Sequence, residues 1–279
     1  MIKIIADTTS TISPEEARSL GIYYLPQIII FDDVSYRDDN EITSKEFLQK
    51  LRASATLPKT AAPPPALYTP IYEELRQANN SGIVICPSAK VSGTYERALA
   101  ASKDFPDLDL RVVDTGVIGP ALGTLVRKAL QWVAEGVSAD TIIERITDLG
   151  KKVKIYFYVD TLEYLYKGGR IGTAKALVGS LLQVKPLLLF KNGQVNQFES
   201  HRTKKKAIAR LVELVVNECP ANPESHLSIL EADAMDDAIE LSNNFREQIK
   251  INDIQITDLP PAIIVHAGPG VLAASFFEA

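Results

Sequence analysis

The residues of this chain best suited to chemistry are hydroxyls and a glycine where a strand gives way to a helix. The segment Cys86-Pro87-Ser88-Ala89-Lys90-Val91-Ser92-Gly93-Thr94-Tyr95 leaves the apolar run Ile83-Val84-Ile85-Cys86 and enters a helix whose apolar face carries Tyr95, Ala98 and Leu99. A helix start leaves main-chain N–H groups without intrahelical partners, and with the helix dipole these favour an anion. The Ser92 and Thr94 hydroxyls add donors. Ser92 acting only as a helix cap fits the same residues. The local sequence leaves both readings open.

Other polar loops also follow strand-like runs. Asp7-Thr8-Thr9-Ser10 follows the first run, and Asp114-Thr115-Gly116 the fourth. Neither loop holds a second carboxylate at metal spacing, so capping and hydroxyl orientation are the expected roles. Lys167-Gly168-Gly169-Arg170 lacks the spacing of a P-loop; it suits a phosphate-facing loop or a glycine helix cap beside a solvated Arg170. His201-Arg202 precedes a helix. His266-Ala267-Gly268-Pro269-Gly270 reads as the end of a buried strand that turns sharply, its histidine either structural or close to a ligand or partner. With three histidines, no zinc signature and no nucleophile elbow around any serine, a self-sufficient hydrolase or metalloenzyme has little support.

These loops need rigid elements to position them, and the composition allows for them. A chain of 279 residues with 46% hydrophobic and 23% charged residues is an ordered globular protein, and two domains are the natural expectation. A net charge of −5 gives no basic footprint for nucleic acid. Cys86 and Cys219 are far apart, without metal-ligand spacing, and read as free thiols of a reducing compartment. The start, Met1-Ile2-Lys3-Ile4-Ile5-Ala6-Asp7, is charged too soon for a signal peptide. Pro260, Pro261 and Gly268-Pro269-Gly270 argue against a membrane helix over Pro260–Phe277. A cytoplasmic protein is expected.

In residues 1–150, strand-like runs Ile2–Ile5, Ile22–Phe31, Ile83–Cys86 and Arg111–Val113 alternate with capped amphipathic helices. Ser13-Pro14-Glu15-Glu16 and Thr43-Ser44-Lys45-Glu46 are capping boxes. Such alternation implies an α/β domain with a parallel sheet flanked by helices, binding ligands beyond the carboxyl strand ends. Residues 151–279 read as an α+β domain with a mixed or antiparallel sheet. Val184–Phe190 and Gln194–Ser200 flank the hairpin signal Asn192-Gly193; His226–Ala232 and Ala262–His266 are expected strands, with helices over 203–218 and Met235–Ile249. The insert Leu57–Pro65 cannot be helical through Pro63-Pro64-Pro65.

Taken in order, the motifs resemble the DegV family, the fatty-acid-binding subunits of bacterial fatty acid kinase. The resemblance rests on Asp7-Thr8, Lys59-Thr60 with Pro63, Ser92-Gly93-Thr94-Tyr95, Asp114, Lys167-Gly168-Gly169-Arg170, Val184-Lys185-Pro186, His201-Arg202 and His266-x-Gly-Pro-Gly. It implies a lipid-binding protein that encloses one long-chain fatty acid between its halves and is not itself an enzyme. The carboxylate would be held by Thr60 and Ser92 with the Gly93-Thr94 helix start, with no metal and no cofactor. Arg170, Arg202 and His266 would face outward, where a separate ATP-dependent fatty acid kinase docks and phosphorylates the acid for phospholipid metabolism. Contact with a membrane would be transient. This chain has Thr60-Ala61-Ala62-Pro63-Pro64 where the family commonly shows Thr-Ser-x-Pro-Ser, so two hydroxyls are missing there.

The energetics suit such a ligand. Burying ~15 methylenes at roughly 0.8 kcal/mol each supplies about 12 kcal/mol before ordering costs, and an ionised head group then needs donors. Ala176–Leu182 and Ile28–Phe31 are apolar stretches available for a tail tunnel. Two other readings are an acyl hydrolase with Ser92 as nucleophile and His266 as base, and a module for another small anion.

Overall fold

Successive residues of a strand point to opposite faces, yet in the first strand, β1 (Ile2–Asp7), Ile4 and Ile5 are both buried. Both faces of its sheet are therefore covered, as in parallel sheets. The computed structural model describes residues 1–180 and 184–279. It divides into two units, Met1–Thr43 with Pro58–Lys151, and Ser44–Leu57 with Lys152–Ala279.

The first unit is built on β1, β2 (Tyr23–Leu25), β6 (Ser81–Cys86) and β7 (Leu110–Asp114), all parallel, in the order β2-β1-β6-β7. Its helices are α1 (Pro14–Leu20), α3 (Pro65–Gln77), α4 (Thr94–Ser102), α5 (Pro120–Ala134) and α6 (Ala139–Lys151). Tyr68, Tyr72 and Leu75 of α3 and Ala98 of α4 pack on Ile5, Val84 and Cys86. From β1 the chain goes to β2 on one side; from β6 it goes to β7 on the other. The loops after β1 and β6 thus flank a topological switch point, where open α/β sheets bind ligands.

The expected single strand Ile22–Phe31 is two strands in two sheets. Pro26 has no N–H to give a ladder, and the chain breaks there. β2 stays in the parallel sheet, while β3 (Ile28–Phe31) is the centre of a small antiparallel sheet with β4 (Val34–Arg37) and β5 (Lys59–Ala61). Thr60 pairs with Ile29 there.

The second unit holds a six-stranded mixed sheet made from β8 (Val153–Tyr158), β9 (Lys185–Lys191), β10 (Gln194–His201), β11 (Ser228–Ala232), β12 (Gln255–Asp258) and β13 (Val271–Phe277). The order is β10-β9-β8-β13-β11-β12, and all neighbours are antiparallel except β11 and β12. Asn192 and Gly193 take φ values of 55° and 79°, the left-handed pair that a two-residue hairpin requires. Leu211 of α8 (Lys204–Glu218) and Leu241 and Phe245 of α9 (Met235–Ile249) pack with Tyr156, Leu187, Ile229 and Leu272 of the sheet. The remaining helices are α2 (Ser44–Ala53), α7 (Glu163–Lys167) and α10 (Pro261–Ala267). In α2, Phe47 and Leu51 are buried, the Ser44 hydroxyl donates to the Leu259 carbonyl at 2.8 Å, and Arg52 pairs with Asp233.

The expected strand Ala262–His266 is a correction: these residues belong to α10. Ile263-Ile264-Val265 has strand propensity, but Pro261 occupies the first helical turn, where its ring is preorganised, and α10 packs on α7. The strand lies further on, as β13, in the interior of the sheet. Of the apolar stretch Ala176–Leu182, Leu181 and Leu182 lie outside the described residues. Among the described residues no helix is long and apolar enough to cross a membrane. Because Leu272 of β13 is fully buried, Leu272→Ala is expected to cost about 2–5 kcal/mol, read from the urea unfolding midpoint.

Candidate functional site

The loop after β1 folds around a buried carboxylate. Asp7 Oδ1 accepts the Thr9 N–H at 2.9 Å and the Thr9 hydroxyl; Oδ2 accepts Gln27 Nε2 at 2.7 Å and the Thr94 hydroxyl at 2.8 Å. No Lys or Arg pairs with Asp7 among the described residues. Burial raises its pKa, and the hydrogen bonds from Thr9, Thr94 and Gln27 oppose the rise. A second carboxylate stands behind it. Asp38 Oδ1 accepts the Thr8 hydroxyl at 2.7 Å and the Gln27 N–H at 2.8 Å. Burial, with the Asp7 charge adding to it, pushes Asp38 up to about 7.

This network fixes the start of α4. Thr94 is its first residue, and Gly93 stands at the cap. The Ser92 hydroxyl accepts the Thr94 N–H at 3.3 Å and lies 3.0 Å from the Thr94 hydroxyl. Ser92 therefore braces the first helical residue from the position before the cap, while remaining partly exposed beside an exposed Gly93; Thr94 is buried and turned toward Asp7. A Cβ added to Gly93 would lie 3.7 Å from Ala62 Cβ. The chain leaving β5 two residues beyond Thr60 thus touches the helix start. Asp114 ties in the neighbouring loop, its Oδ1 accepting the Ala89 N–H at 3.1 Å and the Gly116 N–H at 3.0 Å. Among the described residues no group of His, Cys, Asp or Glu could hold a metal.

In the second unit the other motifs gather at one end of the mixed sheet. His266, in the last turn of α10, lies against Gly168 so closely that a Cβ there would be 2.3 Å from His266 Nδ1. Burial, then the nearby Arg170 charge, lowers His266 to about 4, leaving a neutral imidazole at pH 7. Such a histidine is a weak general base. Arg170 is half-buried and donates to the Gly168 carbonyl at 2.7 Å; burial lowers its pKa. Lys185 pairs in register with His201 and donates to the Asp160 carbonyl at 3.1 Å. Lys204 lies 5.9 Å from the centre of the Tyr158 ring and pairs with Asp237. Arg202 is exposed, and its guanidinium makes no ion pair or hydrogen bond among the described residues.

Sequence reasoning passed over Gln27 and Asp38. Pro26 was the available signal for Gln27, since it marks a break in the apolar run; nothing distinguishes Asp38 from the acidic residues around it. Two outcomes follow. A carboxyl whose pKa is raised by folding binds its proton more tightly folded than unfolded, so its contribution favours folding below its ordinary value of 3.8 and fades as pH rises toward 7. Asp38→Asn is expected to flatten that fall by a few kcal/mol, seen in urea midpoints across this range. Gly168→Ala is expected to destabilise by about 1–3 kcal/mol through overpacking and to move His266, visible in its imidazole NMR shifts.

The whole chain, residues 1–279, matches the model of the DegV family, a family of uncharacterised proteins. A DegV domain-containing protein of Halalkalibacterium halodurans is 31% identical over 277 residues, covering 99% of this chain and 98% of that one. Among solved structures, a fatty acid binding DegV family protein from Streptococcus agalactiae superposes with a TM-score of 0.91 at 29% identity, covering 100% of this chain and 99% of that one. DegV of Bacillus subtilis, described as a fatty acid binding protein, gives a TM-score of 0.88 at 30% identity, with 99% of both chains covered. The chain belongs to the DegV family.

Proposed function

We propose that this protein binds one long-chain fatty acid and presents its head group to a separate ATP-dependent fatty acid kinase. The observation that carries the reading is the helix start at the switch point, where the Ser92 hydroxyl is partly exposed beside an exposed Gly93. The fatty acid binding described for the S. agalactiae and B. subtilis relatives, aligned over nearly the full length, supports the same ligand. The Ser92 hydroxyl, the Gly93 N–H at the head of α4 and Thr60 on β5 hold the carboxylate in this reading, with Thr94 behind Ser92. Thr94 contributes by orienting Ser92, because its hydroxyl is directed to Asp7 and its N–H to the Ser92 oxygen. Ser92 has Thr94 rather than an imidazole as its hydrogen-bond partner, which favours binding over nucleophilic attack.

Arg170, Arg202 and His266 form the surface for the kinase and the phosphoryl group. Arg202 carries most of this role, since it is exposed and its fork is available for bidentate contact. His266, neutral at pH 7, serves as a hydrogen-bonding and packing residue rather than as a charge. The carrier works in the bacterial cytoplasm and touches membranes only transiently to exchange its lipid.

Mass spectrometry of an organic extract of the denatured protein is expected to find about one long-chain fatty acid per chain. Thr60→Ala with Ser92→Ala is expected to weaken oleate binding by about 100-fold, from losing two bonds to a charged group. Arg202→Ala is expected to leave oleate binding within about twofold while slowing kinase-dependent acyl phosphate formation about tenfold. Absence of lipid together with no uptake of added oleate or palmitate contradicts the proposal, and loss of oleate binding in Arg202→Ala contradicts the division of roles.

A further inference from the structure

We infer that Asp7 takes up a proton when a carboxylate binds at Ser92, the hydroxyl hydrogens of Thr94 and Ser92 reversing direction along the chain Asp7–Thr94–Ser92. The inference rests on the fatty-acid reading and adds Asp7 and Gln27 to it as positioning residues.

Each hydroxyl carries one hydrogen and two lone pairs. The Thr94 hydroxyl donates to Asp7 Oδ2 at 2.8 Å, so the 3.0 Å bond between Ser92 and Thr94 must use the Ser92 hydrogen. Gln27 Nε2 donates to both Asp7 Oδ2 and Thr94 Oγ1, at 2.7 and 2.9 Å, and completes the set. An ionised carboxylate accepts only, and at Ser92 it claims that same hydrogen. With Thr94 still bound to an ionised Asp7, two oxygens 3.0 Å apart then face each other with no proton between them. A proton taken from solvent onto Asp7 Oδ2 removes the conflict. Asp7 donates to Thr94, Thr94 to Ser92, and Ser92 to the ligand. One proton is taken up, and no bond changes other than the O–H bond formed on Asp7.

The surroundings of Asp7 suit this. Asp38, Tyr24, Tyr68 and Cys86 face it from the loop after β4, from β2, α3 and β6, and none of them is a cation. Burial raises its pKa. Gln27 reaches both oxygens of the chain and can serve either direction of the hydrogens.

The test is calorimetric titration of the full-length protein with sodium oleate below its micelle concentration, in buffers of different ionisation enthalpy. Where Asp7 is ionised in the free protein, the expected result is uptake of about one proton per oleate, with Kd rising about tenfold per pH unit. Asp7→Asn places a permanent donor beside Thr94, so it is expected to bind with no uptake and a Kd flat in pH. Binding without uptake in the natural protein overturns the inference, as does uptake that persists in Asp7→Asn, which would put the proton on the ligand or on Asp38. Failure of the natural protein to bind oleate is a separate outcome that overturns the fatty-acid reading itself. Should Asp7→Asn not fold, difference infrared spectra with carboxyl-13C oleate decide the matter in the natural protein. A protonated-carboxyl band unmoved by the label and still present in Asp38→Asn supports Asp7; a band that moves with the label, one lost in Asp38→Asn, or none, overturns it.

Discussion

A carboxylate taken out of water must be met by donors or by a cation, and Asp7 is met by donors alone. Its four partners come from three places in the chain: the Thr9 turn, Gln27 after β2 and Thr94 at the head of α4. Satisfying one buried group therefore fixes the loops on both sides of the switch point at once. The neutral donors leave Asp7 electrostatically exposed to whatever binds beyond Thr94, which a lysine or arginine partner would have screened. The same constraint explains why Thr94 is buried while its neighbours Ser92 and Gly93 remain accessible.

The second unit handles charge differently. Four of its cations sit at one end of a sheet, in graded exposure: Arg170 half-buried, Lys185 and Lys204 paired with Asp160 and Asp237, and Arg202 exposed. Half-buried beside Arg170, His266 is lowered to about 4 and is neutral at pH 7. Close packing of Gly168 on its ring makes the Lys167-Gly168-Gly169-Arg170 motif a structural requirement as well as a source of charge.

How much of this was legible in the sequence follows from the range of the interactions. Caps and turns are local, and the Ser13 cap, the Asn192-Gly193 hairpin and the helix Met235–Ile249 stand where the sequence puts them. The parallel and mixed sheets follow from the order of the elements. Ala262–His266 was misjudged because strand propensity and a prolyl helix start conflict there, and packing on α7 decides. β13 was missed because a fully buried strand has no polar alternation to reveal it; all seven of its residues are buried. The hydroxyls and Gly of the helix start were visible as types, but their supports were not. Gln27 reaches Asp7 across 20 residues of chain and Asp38 reaches Thr8 across 30, and no spacing rule spans such a gap.

Fatty-acid carriage by this chain requires a carboxylate to bind at the head of α4. The most direct measurement is NMR titration of the 15N-labelled protein with a long-chain fatty acid, following backbone amides. Binding there predicts shift changes concentrated at Ser92, Gly93 and Thr94, downfield at the Gly93 amide that donates to the carboxylate, with Thr60 responding on β5. Saturable binding that leaves these amides unmoved, or shifts concentrated at another helix start, would contradict the account.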